Sequence, residues 1–428
     1  MAWKNWAGTV AVTPLRIEHP TSTQAVADIV RSAAEEGVPV KAVGAGHSFT
    51  DIAAAPGVQL DLSALRGVVD VDRANRLVTV KADTRLNQMP GLLRPHGLAM
   101  ENLGDIDAQS IAGAISTGTH GTGKHFGGVA TQVRGLTLVD GTGTVHRITG
   151  EDVVSHVVSL GALGVLTEVT LQCVDTFVLD AIEKPEPLET VLNDWAGFID
   201  AWDHFEFYWF PHTKVALTKA QNRLPGDAPL KPLARWQRRI DDDLLANRLY
   251  EVLCRAGTVA PRVIPRINRL ATGVVGDRAH TDLSTNVYTT KRNVRFKEME
   301  FALPVDALPT VLREIDRLVQ RRGWCVSFPL ECRAAAGDDL WMSTAYGRPT
   351  AYIAVHRYHR EDHQPYFTEC EKIVRAHGGR PHWGKMHTMS RPDFAEIYPK
   401  FDDFLALRDT LDPQRVFTNA YLGRVLGR

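Results

Sequence analysis

The segment Val43-Gly44-Ala45-Gly46-His47-Ser48-Phe49-Thr50 constrains this chain more than any other. It follows a strand-like run, residues 38–43, so the chain passes from a strand into a glycine-rich turn. Glycine has no Cβ and lets backbone N–H groups approach a diphosphate closely. His47 then places an imidazole beside whatever the diphosphate carries. Two interpretations follow: a tight turn with a surface histidine, or a nucleotide cofactor whose reactive ring lies against His47 or is attached to it.

The composition narrows the kinds of partner. The 428 residues, of which 44% are apolar, are enough for two or three packed globular domains. Lys and Arg number 49 against 50 Asp and Glu, so the formal net charge of −1 argues against nucleic acid or an anionic membrane as a main partner. No apolar run approaches the length of a membrane-crossing helix, so no transmembrane segment is expected.

The cysteines indicate the redox environment. Five are present, an odd number without C-x-x-C spacing, which predicts neither a disulfide framework nor a zinc cluster. No metal site is therefore expected. Residues 1–8 lack the apolar core of a secretion signal. Together these features predict a reducing compartment, with the cytoplasm as the default.

Residues 1–175 are predicted to form one α+β unit that is dense in glycine turns. A helix over 21–37 is indicated by an apolar stripe, a cap at Thr21 or Ser22 and a stop at Gly37. Alternating apolar residues around glycine- and asparagine-containing turns predict two hairpins. The hairpins are expected at 68–80 and 136–148, further strands at 38–43, 58–62 and 165–174, and further helices at 85–96 and 109–117.

The pattern changes near residue 176. The segment 224–275 is rich in Arg, Pro and helix formers and predicts a helical excursion or a lid. From residue 294 strands and helices alternate, which predicts an antiparallel sheet covered by helices on one face. The elements expected there are strands at 294–303, 325–333 and 351–359 and helices at 306–322 and 363–378. The final segment, 380–428, is aromatic and basic.

A second glycine-rich run extends from Ser110 to Gly123 and contains His120. The predicted helix 109–117 leads directly into glycines, so the backbone can pass along a flat ring while hydroxyl groups face phosphate. A flexible loop of small residues would have the same composition. Two such loops, each with a histidine, are stronger evidence for a cofactor site than either loop alone.

Two opposite charges share one face of a predicted strand. In Phe328-Pro329-Leu330-Glu331-Cys332-Arg333, strand alternation puts Glu331 and Arg333 on the same side. Buried charges need partners, so this is either a structural ion pair or a substrate-facing wall. His356 lies on the next predicted strand and can complete a polar pocket between the two strands.

A fourth segment is Arg380-Pro381-His382-Trp383-Gly384-Lys385-Met386-His387. A tryptophan beside histidine and lysine can bury a cation close to a delocalised anion. The alternative is an ordinary helix-to-loop junction, with Trp383 in the core and Lys385 in solvent.

These segments, in this order, resemble the sugar-lactone oxidoreductases of the vanillyl-alcohol oxidase flavoprotein superfamily. That branch includes L-gulono-1,4-lactone and D-arabinono-1,4-lactone enzymes and the related alditol oxidases. The resemblance covers nearly the whole chain, and although each motif is short, the ordered set is specific. The motifs are Asn5-Trp6-Ala7-Gly8, Gly46-His47-Ser48-Phe49, Gly118-Thr119-His120-Gly121-Thr122-Gly123, Ser159-Leu160-Gly161-Ala162-Leu163-Gly164, Glu331-Cys332-Arg333, Ala345-Tyr346-Gly347-Arg348, His382-Trp383-Gly384-Lys385, Leu411-Asp412-Pro413 and Phe417-Thr418-Asn419-Ala420-Tyr421.

The resemblance implies an α+β, two-lobed FAD-binding fold of the vanillyl-alcohol oxidase type. The FAD lobe would comprise residues 1–175 and the returning segment 380–428, and an α/β cap lobe built on an antiparallel sheet would comprise 176–379. His47 would bond covalently to the flavin 8α-methyl group, and the absence of cysteine near 102–107 implies a single such bond. The other residues implied to bind FAD are Val43, Gly44, Ala45, Gly46, Ser48, Phe49, Gly104, Ser110, Gly113, Thr117, Gly118, His120, Gly121, Gly164, Val165 and His382.

The expected reaction is oxidation of a carbinol carbon by hydride transfer to flavin N5. Glu331 is the first candidate for the proton acceptor, and Arg333 would orient polyol oxygens. Lys385 would stabilise negative charge on the reduced flavin or on the developing alkoxide. Asp105 and His356 complete the residues expected to contact substrate, together with these three.

The substrate is expected to be an aldonolactone. Residues 204–213 resemble the gulono- and arabinono-lactone branch, although the same run is typical of an amphipathic cap strand. Oxidation at C2 would give an ascorbate-type product, and an alditol is the alternative substrate. By the same resemblance, Gly104 leaves room for oxygen at the flavin and favours an oxidase, while some relatives with glycine here use other acceptors. The electron acceptor is therefore O2 or a second, unidentified acceptor.

Two other classes of protein are less compatible with the sequence. A nicotinamide dehydrogenase needs G-x-G-x-x-G, whereas Gly44-Ala45-Gly46 is followed by His-Ser-Phe. A non-catalytic flavin- or carbohydrate-binding protein has no need of the pair Glu331 and Arg333 or of a histidine at position 47. The sequence therefore favours an oxidoreductase.

Overall fold

The computed structural model describes residues 2–234, 250–274, 276–290 and 294–427. Within these ranges the chain combines an eight-stranded, a five-stranded and a three-stranded sheet with helices, which confirms the expected α+β class. Part of the segment 224–275 lies outside the described residues. Its described part contains the helices Tyr250–Val259 and Ile264–Val274, as predicted for a helical excursion.

The glycine loop begins at the end of a small parallel sheet. Ser22 accepts a hydrogen bond from the backbone N–H of Ala25 at 3.1 Å and so caps the helix Thr23–Glu35, which packs on this sheet. The helix buries four apolar residues against it: Val26, Ala27, Val30 and Ala33. The strands lie in the order Arg16–Glu18, Val58–Asp61 and Val40–Val43.

The five-stranded sheet contains both predicted hairpins, because Val145 pairs with Val139 and Val71 with Val78. Its strands lie in the order Val145–Thr149, Val133–Val139, Val165–Gln172, Leu77–Lys81 and Val68–Asp72. The helix predicted over 85–96 is broken, because each proline, at 90 and 95, lacks the N–H that would continue the preceding turn. It consists of the pieces Leu86–Gln88, Met89–Leu93 and Arg94–His96.

The eight-stranded sheet, called the large sheet below, is antiparallel throughout and confirms the sheet predicted for the second half of the chain. The strand predicted at 325–333 begins only at Leu330, directly after Pro329, which cannot donate a ladder hydrogen bond. The strand order is Arg278–Leu283, Phe177–Pro187, Val215–Pro225, His204–Trp209, Leu330–Ala335, Thr350–Tyr358, Phe296–Pro304 and Arg380–Pro381.

Helices cover one face of the large sheet. Leu308–Arg322 and Gln364–Ala376 pack against the strands Thr350–Tyr358 and Phe296–Pro304. Alternate residues of these strands, such as Phe301 and Ile353, enter the main core there. Further described helices are Ile111–Ser116, Val153–His156, Leu188–Asn193, Trp195–Ala201, Ser284–Tyr288, Arg391–Ile397, Phe401–Leu411 and Ala420–Leu426.

Short elements complete the described chain. Two small antiparallel pairs join Trp3–Lys4 to Ala11–Val12 and Leu98–Ala99 to Val174–Asp175. Single 3-10 turns occur at Asp51–Ala53, Val129–Gln132, Gly150–Asp152, Pro261–Val263 and Val305–Ala307.

An aromatic cluster joins the glycine loop to the large sheet. The ring centroid of Phe296 lies 5.7 Å from that of Phe49 and 5.3 Å from that of Trp6. Aromatic pairs at these separations contribute about 0.5–1.5 kcal/mol beyond the burial of their area. The N-terminal segment and the glycine loop are therefore held against the face of the large sheet that lies opposite the helices Leu308–Arg322 and Gln364–Ala376.

Candidate active site

Main-chain hydrogen bonds hold the glycine loop between two distant parts of the chain. The backbone N–H of Trp6 donates to Gly46 O at 2.8 Å, and Asn5 Nδ2 donates to Ser48 O at 2.9 Å. On the other side, the backbone N–H of Phe49 donates to Gly384 O at 2.7 Å. The loop that carries His47 is thus directly linked to the segment that carries Lys385.

His47 is a neutral imidazole in this setting. Burial, and then the positive charges of Lys385 and Arg85, lower the pKa of His47 to about 4. Its ring stacks on Trp6, with the centroids 5.6 Å apart and an interplanar angle of 22°. A neutral ring nitrogen keeps a lone pair, so His47 has the protonation state that a nucleophilic attachment requires.

Glycines bring the predicted cofactor segments into backbone contact. A Cβ on Gly44 would lie 2.4 Å from Ser110 Oγ, which shows that the two glycine-rich runs pack against each other. A Cβ on Gly104 would lie 2.9 Å from His120 O, and one on Gly121 would lie 2.2 Å from Leu103 O. Only glycine fits at these contacts, and three predicted cofactor segments meet there.

The small residues of the second run are largely occupied within their own helix. Ser110 caps Ile111–Ser116 by accepting from the backbone N–H of Gly113 at 3.3 Å, and Thr117 Oγ1 donates to Gly113 O at 2.9 Å. Gly118 follows with a φ of +74°, in the left-handed region that glycine favours. These hydroxyl groups thus make hydrogen bonds within their own helix, and their contact with phosphate stays a prediction.

Gly164 and Val165 lie in the interior beside the five-stranded sheet. A Cβ on Gly164 would meet Val139 O at 2.5 Å, and Val165 packs in the core with the helix Thr23–Glu35. Both residues pack against the sheet, and their contact with FAD stays a prediction.

The face of the large sheet opposite the helices Leu308–Arg322 and Gln364–Ala376 carries a row of charged residues. Strand register pairs Arg333 with Glu206 and Glu331 with Tyr208 on one side. On the other side, Glu331 and Glu300 are both paired with Ala354, and Glu298 is paired with His356. Cross-strand partners share a face, so these residues form one continuous wall, called the charged wall below. A small alanine lies at its centre.

Glu331 and Arg333 form an ion pair, one of the two arrangements that the sequence left open. Arg333 Nε also lies 2.9 Å from Glu206 Oε2. Burial disfavours the charged guanidinium, but Glu206 and Glu331 outweigh it, so the pKa of Arg333 is raised well above its ordinary value. Asp105, from the loop beside Gly104, is close enough to add to this effect. Two expected substrate residues, Asp105 and Arg333, are therefore brought together.

Lys385 packs against the charged wall and is half-buried, with 21% of its side chain exposed. Its ammonium forms an ion pair with Glu298 and lies 5.1 Å from the centroid of the Phe49 ring. Burial would lower the pKa of Lys385, but Glu298 and Glu300 outweigh it and raise that pKa. His356 lies on the other side of Glu298, with Nε2 at 3.5 Å from Oε1.

A second buried group lies next to this pair. His120 Nε2 is 3.1 Å from Glu300 Oε1, and its Nδ1 is 2.9 Å from Gly121 O. Both ring nitrogens therefore lie within hydrogen-bond distance of an oxygen acceptor. His382 differs: its Nδ1 accepts from the backbone N–H of Gly384 at 3.0 Å, and burial lowers its pKa to about 4.

His120, Glu300 and His382 bring three metal-ligating atoms within 4.8 Å of one another. The Nε2 of His120 faces the Glu300 carboxylate, and the Nδ1 of His382 accepts a backbone hydrogen bond. The contact between His120 and Glu300 accounts for the position of those two residues.

The sequence analysis missed three carboxylates of the charged wall: Glu206, Glu298 and Glu300. The signal was available, because the strand Phe296–Pro304 carries Glu298 and Glu300 two residues apart, as Glu331 and Arg333 are. The partner of a buried charge on a neighbouring strand cannot be identified from the sequence, because strand order is set by the tertiary structure.

Comparison with known proteins gives the family. A family model described as D-arabinono-1,4-lactone oxidase matches residues 169–425, and one described as FAD binding domain matches residues 14–149. The chain is 42% identical over 426 residues to L-gulono-1,4-lactone dehydrogenase of Mycobacterium tuberculosis, with 99% of each chain covered. It is 33% identical over 434 residues to L-gulonolactone oxidase of Bos taurus, covering 99% of this chain and 98% of the relative.

Among solved structures, cholesterol oxidase from B. sterolicum has a TM-score of 0.82 at 19% identity, covering 99% of this chain and 96% of that chain. This likeness shows a shared fold. In the described ranges, no helix is both long and apolar enough to cross a bilayer.

The residues present fit FAD on two structural grounds. The glycine contacts at 44, 104 and 121 bring three predicted cofactor segments together, and His47, on the first of these segments, is neutral. The family models, the relatives and this geometry agree. The chain therefore belongs to the D-arabinono-1,4-lactone oxidase family of FAD-dependent oxidoreductases, within the vanillyl-alcohol oxidase superfamily.

Proposed function

We propose that this enzyme oxidises a sugar 1,4-lactone of the L-gulono-1,4-lactone type at its C2 alcohol, giving an ascorbate-type product. The observation that carries the proposal is the charged wall in a chain of this family: its Glu298 pairs with Lys385, and Lys385 lies close enough to His47 to lower the pKa of that imidazole. Bound FAD supplies the acceptor for the hydride that leaves C2. The relatives reported above are named for lactones of this kind, which supports the substrate class.

Two residues of the charged wall, Glu331 and Arg333, and the neighbouring Lys385 have three distinct roles. Glu331 accepts the proton of the C2 hydroxyl, and its carboxylate is held in place by Arg333. Arg333 also orients the polyol oxygens of the lactone, with Asp105 nearby. Lys385 supplies positive charge where negative charge develops, and His356 contributes to the pocket through Glu298.

We also propose that FAD is covalently attached through His47. The neutral ring supports this, because a protonated imidazole has no free lone pair on nitrogen. The stacked Trp6 fixes the plane of the ring. No cysteine occurs at 102–107, so a single protein–flavin bond is proposed.

The proposed lobes follow the sheets. The three-stranded and five-stranded sheets lie within residues 16–172, in the proposed FAD lobe of 1–175 and 380–428. The large sheet extends from Phe177 to Pro381 and forms the proposed cap of 176–379. Its last strand, Arg380–Pro381, pairs with Phe296–Pro304 and thus links the cap to the returning segment.

Substrate competition tests the proposal. Purified holoenzyme should reduce its flavin rapidly with L-gulono-1,4-lactone and slowly with xylitol, measured anaerobically by the loss of flavin absorbance. A large preference for xylitol would overturn the lactone assignment and leave an alditol oxidase. Absence of bound flavin after supplementation would overturn the proposed function as a whole.

The electron acceptor is tested separately. A side chain at position 104 would collide with His120 O, so the glycine keeps this loop free of side-chain bulk and favours access of O2. The relative from Mycobacterium tuberculosis is named a dehydrogenase, which favours a different acceptor. Mixing reduced enzyme with air-saturated buffer decides between them, because an oxidase reoxidises within its turnover time.

We further propose a reducing compartment, with the cytoplasm as the site of action. All five cysteines are free, and Cys173, Cys254, Cys332 and Cys370 are buried. Such thiols are typical of proteins that are not exposed to an oxidising environment. Fractionation of the native cells, with activity measured on L-gulono-1,4-lactone, tests this location.

A further inference from the structure

Two buried carboxylates of the charged wall, Glu298 and Glu300, are assigned no proton transfer or substrate contact in the function proposed above. Glu298 and Glu300 are each 6% exposed and lie on the same face of the strand Phe296–Pro304. Burial of an ionised carboxylate is costly unless cations and hydrogen bonds compensate for it. The cation that compensates for Glu298 is Lys385, the residue proposed to stabilise negative charge in the reaction.

Glu298 has two nitrogen-bearing partners from different elements. One of its oxygens forms an ion pair with Lys385, and the other lies 3.5 Å from His356 Nε2. His356 Nδ1 is 2.8 Å from Pro329 O, so this ring also has oxygen acceptors on both sides. Main-chain bonding reinforces the arrangement, because the backbone N–H of Met386 donates to Glu298 O at 3.0 Å. The segment that carries Lys385 is thus attached at Glu298 through both side chain and backbone.

We propose that Glu298 is a positioning residue of this active site. Its carboxylate holds the ammonium of Lys385 against Phe49, and it keeps that half-buried ammonium protonated. The proposal rests on the role proposed for Lys385 and extends it, because it states what makes this half-buried lysine available as a cation.

Glu298 dominates the surroundings of Lys385. Burial favours the neutral amine, and Glu298 is the strongest of the groups that oppose it. Glu300 acts in the same direction but forms its own contact with His120. The other charged or titratable groups around Lys385 are Glu331 on the strand Leu330–Ala335, His47 on the glycine loop and His382 on the same segment as the lysine.

Removal of the Glu298 charge has a defined consequence. In Glu298→Gln the shape of the side chain is kept, but the largest influence that favours the ammonium is lost. Burial then dominates, so Lys385 should release its proton at a lower pH than in the wild type. Buried lysines without a counter-ion lose their proton several pH units below an exposed lysine.

Lysine reactivity measures this directly, without substrate. Folded holoenzyme is pulsed with acetic anhydride at pH values from neutral to alkaline, and acetylation of Lys385 is quantified by peptide mass spectrometry. The midpoint of labelling should shift to lower pH by about two units or more in Glu298→Gln. It should shift less in Glu300→Gln. Glu371→Gln is the matched control, because Glu371 is a buried carboxylate that contacts Thr388 instead, and its midpoint should match the wild type.

An unchanged midpoint in folded Glu298→Gln would overturn the proposal. If that variant does not accumulate, the double variant Glu298→Gln/Lys385→Gln is compared with it. The proposal requires the double variant to recover folded yield, because it leaves no unpaired buried charge. Equal loss in both variants would contradict the pairing. Failure of lactone turnover would contradict the proposed function but would leave the labelling result intact.

The pH profile of flavin reduction provides a second readout. With L-gulono-1,4-lactone, the alkaline limit of the rate should move to lower pH in Glu298→Gln by the same amount as the labelling midpoint. A uniform drop in rate at every pH would show a structural role only.

Discussion

His120 Nε2 lies 3.1 Å from Glu300 Oε1, and this contact links the second glycine loop to the large sheet. The backbone follows the same path, because the N–H of Gly123 donates to Ala334 O at 2.8 Å. The glycine loops and the charged wall are therefore one assembly, and the site exists only when both halves of the chain have folded together.

The proposed covalent bond gives the first prediction. In His47→Ala, any flavin that binds should be released by acid precipitation, whereas the wild-type protein should keep its colour in the pellet. The variant should fold, because His47 is only partly buried and carries no charge that needs a partner. Absorbance of the acid supernatant is the measurement, and release of flavin from the wild type would contradict the covalent assignment.

The proton acceptor gives the second prediction. Glu331→Gln should lower the rate of flavin reduction by about a hundredfold or more, since positioned general bases contribute about that much. Stopped-flow single-turnover kinetics with L-gulono-1,4-lactone measure the rate. Glu189→Gln is the control, because Glu189 forms an exposed ion pair with Arg313. A near-normal rate in Glu331→Gln would move the role to another residue of the charged wall.

The backbone cradle gives the third prediction. Gly121→Ala should weaken flavin binding and lower the free energy of unfolding, because its Cβ would lie 2.2 Å from Leu103 O and backbone atoms would have to move. Gly423→Ala is the matched control. Gly423 lies in the helix Ala420–Leu426 with nothing within 4 Å of an added Cβ. It should be neutral or stabilising by about 0.5–1 kcal/mol, measured by urea unfolding.

The centre of the charged wall gives the fourth prediction. Ala354→Val places two methyl groups between Glu331 and Glu300 and should raise the KM for the lactone. Ala351→Val, on the opposite face of the same strand, is the control. Both should cost about 1–3 kcal/mol of stability through overpacking, but only the first should change KM. An equal change of KM in both variants would show a general packing effect.

A buried histidine gives the fifth prediction. His204 Nε2 is 2.9 Å from Tyr288 Oη, its Nδ1 is 2.7 Å from Thr122 O, and burial lowers its pKa to about 4. The unfolded chain therefore binds the proton first as the pH falls. The stability contributed by His204 is complete above about pH 6.5 and is lost between about pH 6.5 and 4, by up to about 3 kcal/mol.

The measurement is the free energy of unfolding by urea across that pH range. The decline should be less steep in His204→Gln and unchanged in His125→Gln, since His125 is exposed. A wild-type stability that rises toward pH 4 would have the wrong sign for this account.

Helices and hairpins were predictable where short sequence signals specify them. The hairpins around 73–75 and 140–143, the helix that Ser22 caps and the helix that ends at Gly323 follow from turn residues, caps and periodicity. The predicted boundaries of helices and strands were wrong beside prolines. The broken helix at 85–96 and the late start of the strand at Leu330 both arise because proline removes a backbone donor.

The site was predicted in part. Pairing of Glu331 with Arg333 follows from strand alternation, and it is present. The ion pair of Lys385 with Glu298 does not follow from the sequence pattern. These two residues are 87 positions apart in the sequence, and they meet because the returning segment packs beside the strand Phe296–Pro304.

By itself, the sequence determined the identity of the reactive groups, the glycines that exclude side chains and the family to which their order belongs. These are properties of single residues and short spacings. The tertiary structure alone decided which charges meet. Strand order places Glu206, Glu298 and Glu300 beside Arg333, Lys385 and His120, and burial makes each contact matter because water no longer screens it. Nothing in the local sequence distinguishes Lys385 from the other lysines, and it is the tertiary structure that pairs its ammonium with Glu298.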